Sequence, residues 1–410
     1  MTVTYPSSLK IAHTADLHLD SGHSHGTDGP DGLNSRFTDF ASTWLWICKD
    51  AVERKVDLFV FAGDLAKTRN PSPTAYRAFK AGLDILAAAG IPVLLVTGNH
   101  DLPAAAGKAT AMEIFASSRV FVSTRPELYW ASGPEVTYEG RNMPQVATLP
   151  SVSRSSLLAK DEYKDLTRDQ VNGLMTQKLM EIARGLRAQM IDGGGPKILV
   201  AHHSVSGATT STDMMTNFFD EPVLPLHELQ AMGLDAIMLG HIHKPQFVGG
   251  GGSPLCRYPG SPERIDFGEE NDHKSYTLWE FGKHLPGGVD ASCIPTPARR
   301  FVTMKLEYGG IPGADVTDAV VRVQGKMTED EARQFDRAAL AKQIYAQGAS
   351  KVMPIELEIE RETNVRDSEM TEAMGPVEAL VRYMTNRGTD ADVQDVIKTA
   401  CEKIIAEVAS

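Results

Sequence analysis

Five short polar clusters carry the groups that could do chemistry. They are Asp16 and His18 in "ADLHLD", Asp64 in "AGDLAKTR", Asn99, His100 and Asp101 in "TGNHD", His202 and His203 in "VAHHS", and His241 and His243 in "LGHIHKP". Imidazole, carboxylate and an amide oxygen, with no thiolate among them, suit manganese, iron or zinc at open sites. One at a time, a D-x-H or a histidine after a strand is commonly structural. Together, five clusters of one donor chemistry point to one site. The seven candidate ligands they offer are too many for one ion and suit two ions that share a carboxylate. Two such ions, roughly 3.5–4 Å apart, clamp a phosphate and activate a water. Two carboxylates against two divalent cations leave the centre net positive, so it would attract a phosphodiester anion even in an acidic chain.

Each cluster follows an apolar run. In "IPVLLVTGNHD" a run of the kind buried on both faces of a parallel sheet passes directly into Gly98, Asn99, His100 and Asp101. Read alone, that cluster is also ordinary turn chemistry. At the C-terminal ends of parallel strands, however, it sits where open α/β sheets bind ligands. The runs "LKIAHTA", "DLFVFAG", "QVATL", "KILVAHH" and "DAIMLG" read as further strands. Between them, "NSRFTDFASTWLWICKDAVERK" has helical apolar spacing, "SPTAYRAFKAGLDILAAAG" opens on Ser72-Pro73 and closes at Gly90, and residues 168–190 form a third helix. The alternation predicts an α/β fold in which a parallel sheet is covered by helices. Gly-rich breaks at 192–196 and 248–253 predict surface turns, the second a hairpin tip.

The pattern changes around 284–300, where Pro and Gly cluster. Beyond it, "FVTMKLEY", "AVVRVQGK" and "VMPIELEIER" read as strands, with one helix in "EDEARQFDRAALAKQIYAQG". The expected organisation is a catalytic domain over 1–290, a small α+β module over 298–365 and a helical segment over 370–410. The last helix repeats apolar residues at Val393, Val396, Ile397, Ile404, Ile405 and Val408, a stripe that fits either packing on its own domain or a partner.

A chain of 410 residues buries a sizeable core in two or three domains. No stretch approaches the roughly 18 apolar residues of a membrane span, and the N-terminal residues lack the regions of a signal peptide, so a cytoplasmic setting is expected. Cys48, Cys256, Cys293 and Cys401 are far apart without CxxC spacing, which suggests neither a disulfide framework nor a zinc ribbon. The net charge of −12 argues against a broad basic surface for nucleic acid. A polyanion would need local positive charge from metal ions or a partner protein.

The order D-x-H, GD, GNHD, H, GHxH resembles the calcineurin-like metallophosphoesterase superfamily, a layered fold of sheets sandwiched by helices. More narrowly, "GDLAKTRNPSPTAYRAFKAGLDILAAAGIPVLLVTGNHD" and "GHIHKPQ" followed by "YPGSPERIDFGEENDHKSY" resemble SbcD-type DNA repair nucleases and their double-strand-break counterparts. The motifs cover roughly residues 9–281; the C-terminal third matches in layout only. The resemblance implies one ion on Asp16, His18 and His243, a second on Asn99, His202 and His241, and Asp64 bridging them. It implies manganese, and DNA ends as substrate with 3′–5′ exonuclease and structure-selective endonuclease activity. It also implies an SbcC-type coiled-coil ATPase as partner of the terminal helices, a DNA-capping role for the small module, and a homodimer. It further implies that His100 faces the substrate, steadying the scissile phosphate or protonating the leaving oxygen, with Asp101 setting its orientation.

His203 is the alternative to His202 as ligand. The family commonly has Phe and then His or Asp after "GDL", where this chain has Ala66 and Lys67. His23 and His25 fall in a polar loop, and Ser261 and Arg264 either line the site or support it. Two rival readings remain: a phosphodiesterase or phosphatase for small molecules or phosphoproteins, and a non-catalytic DNA-binding component of an ATPase complex. The complete ligand set opposes the second.

Overall fold

The computed structural model describes residues 8–20, 23–103, 108–130, 144–153, 164–192, 195–210, 221–250, 252, 254–306, 313–360 and 374–408. Two compact units emerge, Met1–Gly325 with Asp336–Glu356, and Lys326–Phe335 with Leu357–Ser410.

The first unit opens with β1 (Leu9–Thr14), α1 (Ser35–Glu53), β2 (Leu58–Phe61), α2 (Pro73–Ala88), β3 (Val93–Val96) and β4 (Val120–Ser123). It continues with β5 (Glu127–Trp130), β6 (Gln145–Leu149), α3 (Arg168–Gln189), β7 (Lys197–His202), β8 (Ser204–Val205) and β9 (Val223–Leu224). A short helix, α4 (Leu226–Gln230), leads to β10 (Ala236–Gly240), β11 (Gln246–Phe247), β12 (Leu255–Tyr258), β13 (Ser275–Phe281) and β14 (Val289–Pro295).

Among the described residues these strands form two six-stranded sheets, ordered β14-β13-β1-β2-β3-β4 and β11-β12-β10-β7-β6-β5. Each has a parallel centre, with β1, β2, β3 and β4 in one and β6, β7, β10 and β12 in the other. The expected parallel sheet is therefore two mixed sheets. Their antiparallel margins, β13, β14, β5 and β11, are the parts the strand-helix alternation did not announce.

Strand periodicity explains why the runs are apolar throughout. Side chains alternate faces along a strand. In β2, Phe59 and Phe61 join Trp44 and Phe79 under the helices, while Leu58 and Val60 face the layer between the sheets. In β7, Leu199 and Ala201 pack toward α3 and Ile198 and Val200 toward the other sheet. Both faces of each central strand are thus dry, giving four layers: helix, sheet, sheet, helix. Fully burying one Leu, Ile, Val or Phe stabilises by about 1.5–3 kcal/mol.

The helices start where the sequence signals do. The Asn34 side chain accepts from Arg36 N–H at 3.0 Å ahead of α1, and Ser72 Oγ accepts from Ala75 N–H at 3.2 Å ahead of α2. Trp44 of α1 stacks on Phe79 of α2 with ring centroids 4.8 Å apart. Its indole N–H donates to the Phe79 carbonyl at 2.9 Å. Gly82 makes that approach possible: a Cβ there would lie 2.2 Å from Trp44 Nε1.

After β14 come β15 (Phe301–Leu306) and, parallel to it, β16 (Val320–Thr328). The single helix expected over 329–348 is broken into α5 (Glu329–Gln334) and α6 (Arg337–Ala346), because Asp336 caps the second by accepting from Ala339 N–H at 2.9 Å. Likewise "VMPIELEIER" divides into β17 (Lys351–Val352) and β18 (Glu356–Glu360), with Pro354 between them. In the second unit, α7 (Pro376–Asn386) and α8 (Ala391–Val408) form the terminal pair. Residues 193–194, 251 and 253 of the Gly-rich breaks, and 307–308 and 361 of the expected strands, lie outside the described residues. Among the described residues, no helix is long and apolar enough to cross a membrane.

Candidate metal centre

Both sheets deliver their C-terminal strand ends to one rim. Asp16 and His18 follow β1, Asp64 follows β2, Asn99 and His100 follow β3, His202 ends β7, and His241 and His243 follow β10. His202 and Gly240 are neighbours in register across β7 and β10.

The donor atoms converge. His18 Nε2 is 3.1 Å from His243 Nε2 and 3.6 Å from Asp64 Oδ2. His202 Nε2 is 3.4 Å from Asp64 Oδ2, 3.9 Å from Asp16 Oδ1 and 3.1 Å from Asn99 Oδ1. His241 Nδ1 lies 3.1 Å from the same Asn99 oxygen. Within this knot, the trios Asp16–His18–His243, Asp16–Asp64–His202 and His18–Asp64–His100 each place three ligand atoms within 4.8 Å of one another.

Backbone geometry is strained at this rim. Asp16 (φ 54°), His18 (φ 44°), Asp64 (φ 61°) and His241 (φ 101°) all lie in the left-handed region. Among the described residues, only Lys55 and Asp318 join them as non-glycine residues there. Such strain persists where surrounding structure over-determines it, and it concentrates at functional sites. Two glycines show how tight the packing is. A Cβ on Gly98 would lie 2.1 Å from Asp64 Oδ1, and one on Gly63 would lie 2.2 Å from His202 Nδ1.

The far ring nitrogens are mostly held. His202 Nδ1 meets the Ala62 carbonyl at 2.6 Å, His241 Nε2 meets Glu221 at 2.9 Å, and His243 Nδ1 meets Glu269 at 2.9 Å. Such partners fix ring orientation and tautomer toward a metal. His18 Nδ1 is buried and has no hydrogen-bond partner among the described residues.

The fit to metal ions can be judged from this donor set. Asp16 and Asp64 are 0% and 2% exposed, and among the described residues neither pairs with Lys or Arg. Burial pushes the Asp16 carboxyl upward. For His202, burial opposes charge, but the Asp64 carboxylate and then Asp16 outweigh it and raise the imidazole to about 10. Two buried carboxylates among imidazoles, with no Lys or Arg beside them among the described residues, leave negative charge that a divalent cation would neutralise. The donors fit such ions.

Around this core, Asp101 departs from expectation. It does not orient the His100 ring: its carboxylate accepts from the N–H groups of Asp64 (2.7 Å), Leu65 (3.1 Å) and Gly98 (2.8 Å) and so ties the two metal-facing loops together. His100 Nδ1 instead meets the Lys67 carbonyl at 2.6 Å, and the His100 N–H donates to Asp64 Oδ1 at 2.9 Å. His203 turns away from the donors, with Nε2 3.1 Å from the Pro150 carbonyl; burial holds it neutral, pushed down to about 3.

The "YPGSPER" stretch supports the centre. Lys274 Nζ is 2.8 Å from Glu269, donates to Ser261 Oγ at 2.8 Å and reaches the His243 carbonyl at 3.2 Å. Arg264 is structural, donating to the carbonyls of Glu270, Asp272 and Arg299. His25 packs edge-on against Phe267 and Phe301, and the His23 side chain lies outside the described residues. Glu221 and Glu269 are what sequence reasoning missed. No spacing marks either residue, since each reaches its histidine only through the fold.

Comparison with known proteins gives a family and several distant relatives. Residues 9–245 match the calcineurin-like phosphoesterase family model. The chain is 24% identical over 298 residues to the SbcD component of the nuclease SbcCD of Escherichia coli (strain K12), covering 70% of this chain and 68% of that protein. It is 22% identical over 436 residues to the DNA double-strand break repair protein Mre11 of Methanopyrus kandleri, covering 98% and 81%. It is also 28% identical over 278 residues to the uncharacterized metallophosphoesterase YhaO of Bacillus subtilis (strain 168), covering 66% of this chain and 57% of that protein.

Proposed function

We propose a metal-dependent DNA nuclease, proceeding from the fact that the chain belongs to the calcineurin-like phosphoesterase family. The observation that carries the reading is the single rim at which seven donor residues from both sheets converge, two of them buried carboxylates with no Lys or Arg partner among the described residues. In this reading Asp16, His18 and His243 hold one ion, Asn99, His202 and His241 hold the other, and Asp64 serves both. When bound, two divalent ions would supply positive charge to polarise a phosphodiester and a water acidic enough to act near neutral pH. Manganese suits the mixed imidazole, carboxylate and amide set.

The chain's own residues do the rest. Gly63 and Gly98 let the loops after β2 and β3 close on Asp64, and Asp101 pins them together. Glu221 and Glu269 set the ring orientations of His241 and His243. His100 is kept for the substrate, since the set is complete without it. With Nδ1 donating to the Lys67 carbonyl, the ring would give a proton from Nε2 to the departing sugar oxygen when it is doubly protonated.

The DNA assignment is supported by the relatives named as repair nucleases and by more than a hundred residues beyond the phosphoesterase core. In this reading the module over 298–365 caps DNA. The exposed Val396, Ile404 and Val408 of α8 dock on the coiled coil of an SbcC-type ATPase. The activities expected are 3′–5′ exonuclease and structure-selective endonuclease. The test is cleavage of a 3′-labelled linear duplex with manganese, with EDTA and by the Asp64→Asn chain. Metal-dependent nucleotide release that the variant lacks supports the reading. No cleavage of DNA, beside hydrolysis of an aryl phosphodiester, would instead assign the centre to small phosphodiesters.

A further inference from the structure

A cavity of about 780 Å³ opens beside the metal centre, reached by Asn99 and His100 at its inner side. That volume falls in the roughly 300–1,000 Å³ range of small-ligand pockets and suits one or two nucleotides, not a double helix. Its lining includes the apolar Leu102, Val152 and Met175, the cationic Lys67 and Arg69, and the hydroxyl-bearing Ser151 and Ser153.

The cations are the unusual feature. Lys67 stands where the resemblance leads one to expect another residue type, and its side chain and that of Arg69 are exposed without an ion pair among the described residues. In a chain of net charge −12, two unpaired cations beside the proposed catalytic rim call for an anionic occupant. The backbone beneath them is fixed. Lys67 N–H donates to Asp20 Oδ1 at 2.6 Å, Thr68 Oγ1 donates to Asp20 Oδ2 at 3.1 Å, and the Lys67 carbonyl holds the His100 ring. Among the described residues, the one carboxylate lining the cavity, Glu221, is engaged by His241.

We propose that Lys67 and Arg69 form a phosphate subsite next to the scissile position, so that the cavity takes an unpaired nucleotide with its base on Leu102, Val152 and Met175 and its flanking phosphate between the two cations. This deepens the nuclease reading and rests on it. In this placement Leu102, Val152 and Met175 meet the face of an unpaired base, so the subsite takes a frayed or single-stranded end.

The test is calorimetric titration of the manganese-loaded full chain with phosphorothioate-linked dithymidine, with and without an extra terminal phosphate at the 5′ or the 3′ end. One of the two phosphorylated forms is expected to bind at least tenfold more tightly than the unphosphorylated form. Lys67→Ala with Arg69→Ala should reduce that ratio to within twofold, and Lys67→Arg with Arg69→Lys should restore it. A ratio near unity in the wild-type chain, or one that survives the alanine pair, overturns the subsite. The nuclease reading fails separately: if the phosphate preference stands but labelled duplex and single strand are not cleaved, the cavity is a nucleotide site on a different phosphodiesterase.

Discussion

At the sheet rim of the first unit, Asp16, Asp64 and His202 are buried, four residues are held at positive φ, and a single methyl group on Gly98 would collide with a carboxylate. In the second unit, α8 has no buried residue, and Val396 and Val408 are 70% and 82% exposed. The rim is over-determined. Its polar groups are costly to bury and are held by partners on several chain segments, so any change is felt. The terminal helix is under-determined by its own unit. In the proposed reading its exposed apolar stripe meets a partner, and changes there should leave the fold intact.

The largest effect that could break this contrast is at Asp64. Replacing it with Asn should lower kcat on DNA or an aryl phosphodiester on the order of 10³-fold and should remove bound manganese measured by elemental analysis. A variant that kept both would remove the shared-ligand role. Gly98→Ala adds one methyl group and no charge. Overpacking strain of about 1–3 kcal/mol at this contact corresponds to roughly a 5- to 150-fold loss of kcat/KM, whereas an alanine at Gly173, inside α3 where a Cβ meets nothing within 4 Å, should leave activity unchanged and raise stability by about 0.5–1 kcal/mol. Glu269→Gln should weaken one of two manganese-binding steps about 10- to 100-fold in a metal titration while sparing the other. Equal weakening of both would mean that Glu269 supports the fold and not His243.

Two smaller effects sharpen the comparison. His13 is fully buried between the sheets, and burial, helped by Arg257, pushes its imidazole down to about 3. The unfolded chain binds this proton near pH 6.5, so between pH 6.5 and 3 the unfolded state carries more protons and stability falls as pH falls. The slope is about 1.4 kcal/mol per pH unit for one such group. A His13→Gln chain should show a correspondingly flatter acid limb in denaturant titrations, and an unchanged slope would contradict the burial argument. Val396→Asp should shift unfolding free energy by no more than about 0.5 kcal/mol and should abolish co-purification with a coiled-coil ATPase partner. A large loss of stability would show that the stripe packs within its own unit.

The sequence made the strand ends legible because apolar runs and polar clusters are both local. β1, β2, β3, β7 and β10 and their donor residues could be read by adjacency alone. What stayed hidden depends on non-local pairing. β13 pairs antiparallel with β1 across a long stretch of sequence and carries the edge strand β14, and Glu221 and Glu269 meet His241 and His243 only after the sheets pack. The direction of Asp101 was misread for the same reason. The family resemblance implied His100, whereas three backbone N–H groups on two loops claim the carboxylate. The break between α5 and α6 was locally encoded at Asp336 but masked by good helix formers on both sides.

The central claim is that two ions share one carboxylate at the rim of the two sheets. Anomalous scattering at the manganese edge from crystals of the chain grown with manganese tests it most directly. The account predicts two peaks, one among Asp16, His18 and His243 and one among Asn99, His202 and His241, both in contact with Asp64. A single peak, or peaks away from Asp64, would contradict it.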